Sequence, residues 1–189
     1  MSRRPFKLVV IGGSAGSLDA LSHILPALPA DFALPILVVV HLPPDRDSVL
    51  AEVLQNKCAM KVREAEDKEP TKPHTVYLAP PDYHLLVESD RSLSLSSDEP
   101  QMYSRPSIDV LFESAADAVG AGVIGIVLSG ANSDGTLGLQ AILREGGIGL
   151  VQSPAEAFAS EMPRAAAKAC PDAMTLSAEQ ISQFLKKSC

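Results

Sequence analysis

A doubly wound, mostly parallel β-sheet flanked by helices, with a small β-hairpin insertion, is the α/β architecture that the sequence predicts, and three features lead to it. Short β-branched runs recur along the chain, each closing in a glycine- or proline-rich loop. Apolar stripes of helical period follow most of these runs. One central stretch abandons the alternation and shows short apolar runs between proline turns. Strands alternating with helices require right-handed crossovers, hence a parallel sheet that receives ligands at the carboxyl ends of its strands.

The first strand is Leu8-Val9-Val10-Ile11, ending in Gly12-Gly13-Ser14-Ala15-Gly16, and Leu18, Leu21, Ile24 and Leu25 then recur as a helix face. The second unit has the same grammar: Ile36 to Val40 is a buried-type strand, His41-Leu42-Pro43-Pro44 a loop, and Val49, Leu50, Val53 and Leu54 a helix face. From Lys61 to Leu95 a charged stretch and two proline-rich turns, Glu69 to Pro73 and Ala79 to Asp82, separate the runs Val76-Tyr77-Leu78, Leu85-Leu86-Val87 and Leu93-Ser94-Leu95. This segment reads as a strand followed by the hairpin insertion. Ser107 suits the N-cap of a helix carrying Val110, Leu111 and Ala115. Val123 to Leu128 is a further buried strand that enters the loop Ser129 to Gly135, after which Leu137 to Leu143 is helical. Ile148 to Val151 is another strand, Pro163 fits the first turn of a helix through Lys168, and Leu176 to Leu185 closes the chain as a capping helix.

With 189 residues, 46% of them hydrophobic, residues 1–189 are read as a single domain around one sizeable core. A net charge of −7 argues against nucleic acid as a partner, because that affinity rests on clustered Lys and Arg. Cys58, Cys170 and Cys189 form neither a disulfide framework nor a zinc-binding spacing, so no metal is implied and the cytoplasm is the expected compartment. The start Met1-Ser2-Arg3-Arg4 is positive, yet the apolar run Leu8 to Ile11 is too short for a signal-peptide core. The longest apolar stretch, Leu34 to Val40, is interrupted by Pro35 and falls far below the roughly 20 residues of a membrane helix, so no membrane insertion is expected.

Gly12-x-Ser14-x-Gly16 fits the nucleophile elbow in its strand-turn-helix setting, where small neighbours let a tight turn lift a serine hydroxyl above the sheet edge. The plainer reading is a serine in a glycine turn or capping the next helix. A dinucleotide loop is disfavoured: aligned on Gly12, the second and third glycine positions hold Ser14 and Ser17, and His41 stands where a ribose-binding acid belongs. No organic cofactor is therefore expected. His41 follows Val38-Val39-Val40 and precedes Pro43-Pro44, which holds its ring at the sheet edge that carries Ser14; His23 and His74 lack that placement, and His84, in the hairpin region, is read as a structural or surface residue with pocket lining as the alternative. Asp134, before Gly135-Thr136, is a natural N-cap for the helix that follows, but its loop also leaves a strand's carboxyl end, where a carboxylate can fix an imidazole tautomer. Asp19, Asp31, Asp45 and Asp82 are easier to explain as turn or helix-start residues.

Over nearly its whole length the chain resembles the catalytic domain of the CheB-type protein-glutamate methylesterases, the chemotaxis receptor methylesterases and glutamine deamidases. The resemblance runs through Val10 to Gly16, His41-Leu42-Pro43-Pro44, Glu64-Ala65-Glu66-Asp67, Tyr77-Leu78-Ala79-Pro80, Arg105 to Phe112, Leu128-Ser129-Gly130 through Asp134-Gly135, and Met162-Pro163-Arg164. It implies a hydrolase with a catalytic triad of Ser14, His41 and Asp134 acting on glutamate γ-methyl esters of cytoplasmic chemoreceptor helices, with glutamine deamidation as a companion reaction. Backbone N–H groups of Ala15 and Ala131 are the implied oxyanion donors, and Arg105 and Arg164 the candidate contacts for an acidic receptor helix; Arg46 is read as a solvated charge.

The chain departs from the family pattern at Ala15, Ser17, Ala131 and Glu161, where threonine, glycine, methionine and glycine are usual. These positions bear on pocket shape and substrate preference. The first catalytic strand begins about residue 7, which leaves no room ahead of it for the receiver domain of many relatives, so regulation is expected from elsewhere, such as a separate regulatory or receiver protein, whether the chain is a stand-alone esterase or a domain of a longer protein. Two alternatives stand beside the esterase: a binding or regulatory module of the same fold with low activity, and a small-molecule carboxylesterase.

Overall fold

A computed structural model describes residues 6–42 and 49–189. The Met1 to Arg4 start, the Pro43-Pro44 turn, Asp45 and Arg46 lie outside the described residues. The strand runs found in the sequence become β1 (Leu8–Gly13), β2 (Ile36–Val40), β4 (Thr75–Leu78), β7 (Val123–Val127) and β8 (Ile148–Gln152). Two edge strands complete the main sheet, β3 (Lys61–Glu64) and β9 (Met174–Leu176). The seven strands are ordered β3-β4-β2-β1-β7-β8-β9 and every pairing is parallel. From β1 the chain winds outward through β2 to the β3 edge, then returns to β7 on the other side of β1. The topological switch point thus lies between β1 and β7, where such sheets open a crevice.

Helices cover both faces. Alternate residues of β1 divide the core: Val9 and Ile11 pack on the side of α1 (Ser17–Ile24), α2 (Leu50–Gln55) and α6 (Ala178–Lys187). Leu8 and Val10 pack on the side of α3 (Ile108–Val119), α4 (Thr136–Arg144) and α5 (Glu161–Ala169). Burial on both faces is why the central strands are almost uninterrupted aliphatic runs. The antiparallel hairpin β5 (His84–Val87) and β6 (Leu93–Ser96) lies against α3, placing Leu85, Val87 and Leu93 in that second core and pinning Val87 N to Ser114 Oγ at 3.0 Å.

Three local expectations are corrected. Leu18, Val49 and Val53 are exposed rather than core-facing, so α1 rests on Leu21 and Ile24 and α2 on Leu50 and Leu54. The charged stretch at Lys61 is the sheet's edge strand, buried through Val62 alone, with charges on the open edge. Leu176 belongs to β9; the capping helix begins at Ala178, behind a Ser177–Gln180 capping box.

Candidate active site

Sheet register builds the site. Gly13 pairs with Val40 and Gly12 with Val127, so one step further Ser14 and His41 leave adjacent strands, about 4.8 Å apart, and Leu128 begins the third loop beside them. Backbone hydrogen bonds carry this register past the strand ends: His41 N donates to Gly13 O at 3.1 Å, Ser14 N to Ser129 O at 2.8 Å and Leu128 N to Gly12 O at 2.9 Å. Ser17 closes the turn after Ser14, its N–H and hydroxyl donating to Ser14 O at 3.0 and 2.7 Å. Gly16 takes φ 77°, and a Cβ there would fall 2.4 Å from the Cβ of Phe158, so the turn requires glycine on two counts.

Asp134 is buried at 0% exposure and bonded to five donors. Oδ2 accepts from His41 Nε2 at 2.7 Å and Ile108 N at 2.7 Å; Oδ1 accepts from Ser107 Oγ at 3.1 Å, Asp109 N at 2.9 Å and Gly135 N at 2.9 Å. Asp134 is therefore not the N-cap of α4, a position held by Gly135 in the left-handed region; it caps the neighbouring α3 through space. Burial opposes its charge, but the His41 hydrogen bond and the N–H groups of Ile108 and Asp109 outweigh that and hold its carboxyl below the usual range. An ionised carboxylate only accepts, so Nε2 of His41 is the donor in this bond. Among the described residues no hydrogen bond joins Ser14 Oγ to the ring.

Asp109, in the first turn of α3, is pushed up to about 7 by burial first and then by the charges of Asp134 and Glu113, against the pull of the Gly138 N–H that bonds its Oδ1 at 2.7 Å. The donors set the two acids apart: Asp134 has five and Asp109 one, so hydrogen bonds offset burial at Asp134 and not at Asp109. His84, read from the sequence as structural or surface, is 2% exposed and braces the same helix start. Its Nδ1 accepts Ser107 N–H at 3.1 Å and its Nε2 donates to Glu99 O at 3.0 Å, which fixes the neutral tautomer. The signal available for Ser107 was its N-cap position; nothing local marks His84 or Asp109.

The N–H groups of Ala15 and Ala131 make no hydrogen bond among the described residues, whereas that of Ser14 is committed to Ser129 O. Ala15 and Ala131 are both exposed. Arg105 is not a free cation: its Nε and Nη2 reach Asp82 Oδ1 at 3.1 and 2.7 Å, and its Nη1 reaches Ser97 O and Asp98 O at 2.9 and 3.1 Å. It lines, with His41, Leu42, Tyr103 and Pro106, a cleft of about 200 Å³. Arg164 and Glu161 are exposed on α5. A larger cleft of about 510 Å³ between α1 and α6 contains none of these groups; volume here does not follow chemistry. Among the described residues no cluster of three or more His, Cys, Asp or Glu side chains is arranged to hold a metal ion.

Comparison with known proteins bears on this geometry. The family model described as CheB methylesterase matches residues 9–185. A relative from Leptospira interrogans, provisionally assigned as a protein-glutamate methylesterase/protein-glutamine glutaminase, is 44% identical over 179 residues, covering 95% of this chain and 93% of that protein. The protein-glutamate methylesterase/protein-glutamine glutaminase of Nocardioides sp. is 42% identical over 166 residues, 86% of this chain but 45% of its own length. The chain thus spans nearly all of the first relative and about half of the second. The crystal structure of the Thermotoga maritima CheB methylesterase catalytic domain superposes with a TM-score of 0.93 at 31% identity, covering 98% of this chain and 100% of that one. No helix among the described residues is long and apolar enough to cross a membrane.

Proposed function

Since the chain belongs to the CheB methylesterase family, we propose that it is a serine hydrolase that removes methyl groups from glutamate γ-methyl esters, and deamidates glutamines, on the cytoplasmic helices of chemoreceptors. In this reading Ser14 Oγ attacks the ester carbonyl as His41 Nδ1 takes its proton. The tetrahedral oxyanion is held by the N–H groups of Ala15 and Ala131, each such donor contributing about 3 kcal/mol in comparable sites. Collapse breaks the C–O bond to methanol, which leaves with the proton from His41. Water then attacks the acyl-serine, gives its proton to His41 and frees the glutamate, and the imidazole returns the proton to Ser14. Asp134 holds the tautomer and stabilises the imidazolium. In this reading the enzyme acts in the cytoplasm.

The 2.7 Å bond between His41 Nε2 and a buried, ionised Asp134, one strand from a serine in matching register, is the observation that carries the reading. The test pairs methanol release from a methylated receptor fragment with stoichiometric fluorophosphonate labelling mapped by mass spectrometry. Release and labelling at Ser14, both lost in Ser14→Ala and His41→Ala proteins of unchanged fold, support it. Retained binding of the fragment without release would favour a binding module, and turnover of simple esters alone a small-molecule carboxylesterase.

A further inference from the structure

Phe158 is 84% exposed, yet it is not on a loose loop. Its neighbour Ala159 donates through N–H to Ser129 Oγ at 2.8 Å, that hydroxyl donates in turn to Ala15 O at 2.6 Å, and Gly130 N closes on Ala159 O at 3.0 Å. Further back, Ala157 N bonds Ser153 O at 3.1 Å and Ser153 N bonds Leu176 O at 2.8 Å. The segment is therefore fixed to the residue that follows Ser14. The aromatic side chain lies over Gly16, where an added Cβ would meet its Cβ at 2.4 Å and its Cγ and Cδ1 at 2.9 Å. A large apolar side chain left in water on a fixed backbone has little conformational freedom to lose on contact with a partner, which is the character of a binding anchor.

Its place defines what it would touch. Gly16 follows Ser14 by two residues, so their Cα atoms are at most about 7.6 Å apart. Positions i and i+4 of an α-helix are about 6 Å apart along its axis and share one face. We propose that Phe158 is a specificity-determining residue of the esterase: it receives an apolar side chain that stands one helical turn from the methylated glutamate on a helical substrate. This rests on the esterase reading and adds the kind of substrate residue that the rim selects.

The test compares two methylated helical peptides that differ only one turn from the ester, Leu in one and Ala in the other, using wild type, Phe158→Ala and Phe158→Leu. Wild type is expected to favour the Leu peptide about tenfold in kcat/KM, chiefly through KM, equivalent to about 1.4 kcal/mol. Phe158→Ala removes that preference, bringing the kcat/KM of the Leu peptide down to the level of the Ala peptide, and Phe158→Leu keeps most of it. A purely structural role for Phe158 would slow both peptides equally and leave the ratio intact. An unchanged ratio in Phe158→Ala, or no preference in wild type, overturns the proposal while leaving the esterase standing. No methanol from either peptide with wild type removes the esterase reading itself.

Discussion

Replacing Asp134 by Asn preserves shape and inverts the chemistry of the most heavily bonded side chain in the site. An amide has one accepting oxygen and one donating NH2, whereas both carboxylate oxygens here accept from backbone N–H groups. If the NH2 takes the place of Oδ1, it faces the N–H groups of Asp109 and Gly135; in the place of Oδ2 it faces Ile108 N–H and the ring of His41. The second orientation strands one buried backbone donor rather than two and is the one expected. A stranded donor costs about 1–3 kcal/mol and the lost charge-assisted bonds add to it, so Asp134→Asn is expected to lower stability by about 2–4 kcal/mol. The amide also donates to Nε2, which drives the His41 proton onto Nδ1, where it blocks proton transfer from Ser14. The same replacement in the Ser-His-Asp template lowers kcat about 10⁴-fold.

Urea unfolding and methanol release measure the two effects separately, and acidification adds a third reading. A carboxyl whose folded pKa is depressed contributes stability above its unfolded value, about 4, and that contribution disappears as pH falls through the folded value. The acid limb of wild-type stability should therefore be steeper than that of Asp134→Asn. Asp134→Asn that unfolds at the wild-type urea concentration and keeps activity within tenfold would refute the reasoning.

Asp109→Asn should have the opposite sign: an acid raised to about 7 in the folded state weakens the fold as pH rises from about 4 toward 7, so the variant should melt above wild type at pH 8, with the gap shrinking toward pH 4. A gap that widens on acidification would contradict this. His84→Leu leaves the Ser107 N–H unpaired at a buried helix start and should cost about 1–3 kcal/mol in urea unfolding, with a fall in kcat as the Asp134 cradle loosens. Gly138→Ala puts a Cβ 2.4 Å from Phe112 Cβ and 3.1 Å from the Asp109 backbone, so α3 and α4 must part; a loss of about 1–3 kcal/mol is expected, and a melting temperature within a degree of wild type would show that the helices yield freely.

The strands that carry the site were legible because each is buried on both faces and so reads as an unbroken aliphatic run, and because a residue at such a strand's carboxyl end has a known place. Ser14, His41 and Asp134 could be nominated on that basis. Lys61–Glu64 was not legible as a strand, since a sheet edge alternates charge with a single buried Val62. The cradle of Asp134 was hidden for another reason. His84, Ser107 and Asp109 are linked to it only when the hairpin packs on α3 and the β7 loop swings over that helix's first turn, separations of 23 to 27 residues that no local pattern encodes.

The Arg105 to Phe112 motif can now be read as electrostatics. The start of α3 offers the Ile108 and Asp109 N–H groups and the Ser107 hydroxyl, together with the positive end of a twelve-residue helix, to one carboxylate from another part of the chain. Two acids, Asp134 and Asp109, compete for a negative charge at that spot, and the unequal share of donors lowers Asp134 while burial and the neighbouring charge push Asp109 up to about 7. The consequence reaches His41: an ionised Asp134 accepts from Nε2, and in the proposed mechanism that leaves Nδ1 to take the proton of Ser14. In the proposed mechanism the chemistry open to Ser14 thus depends on the start of α3, through Asp134.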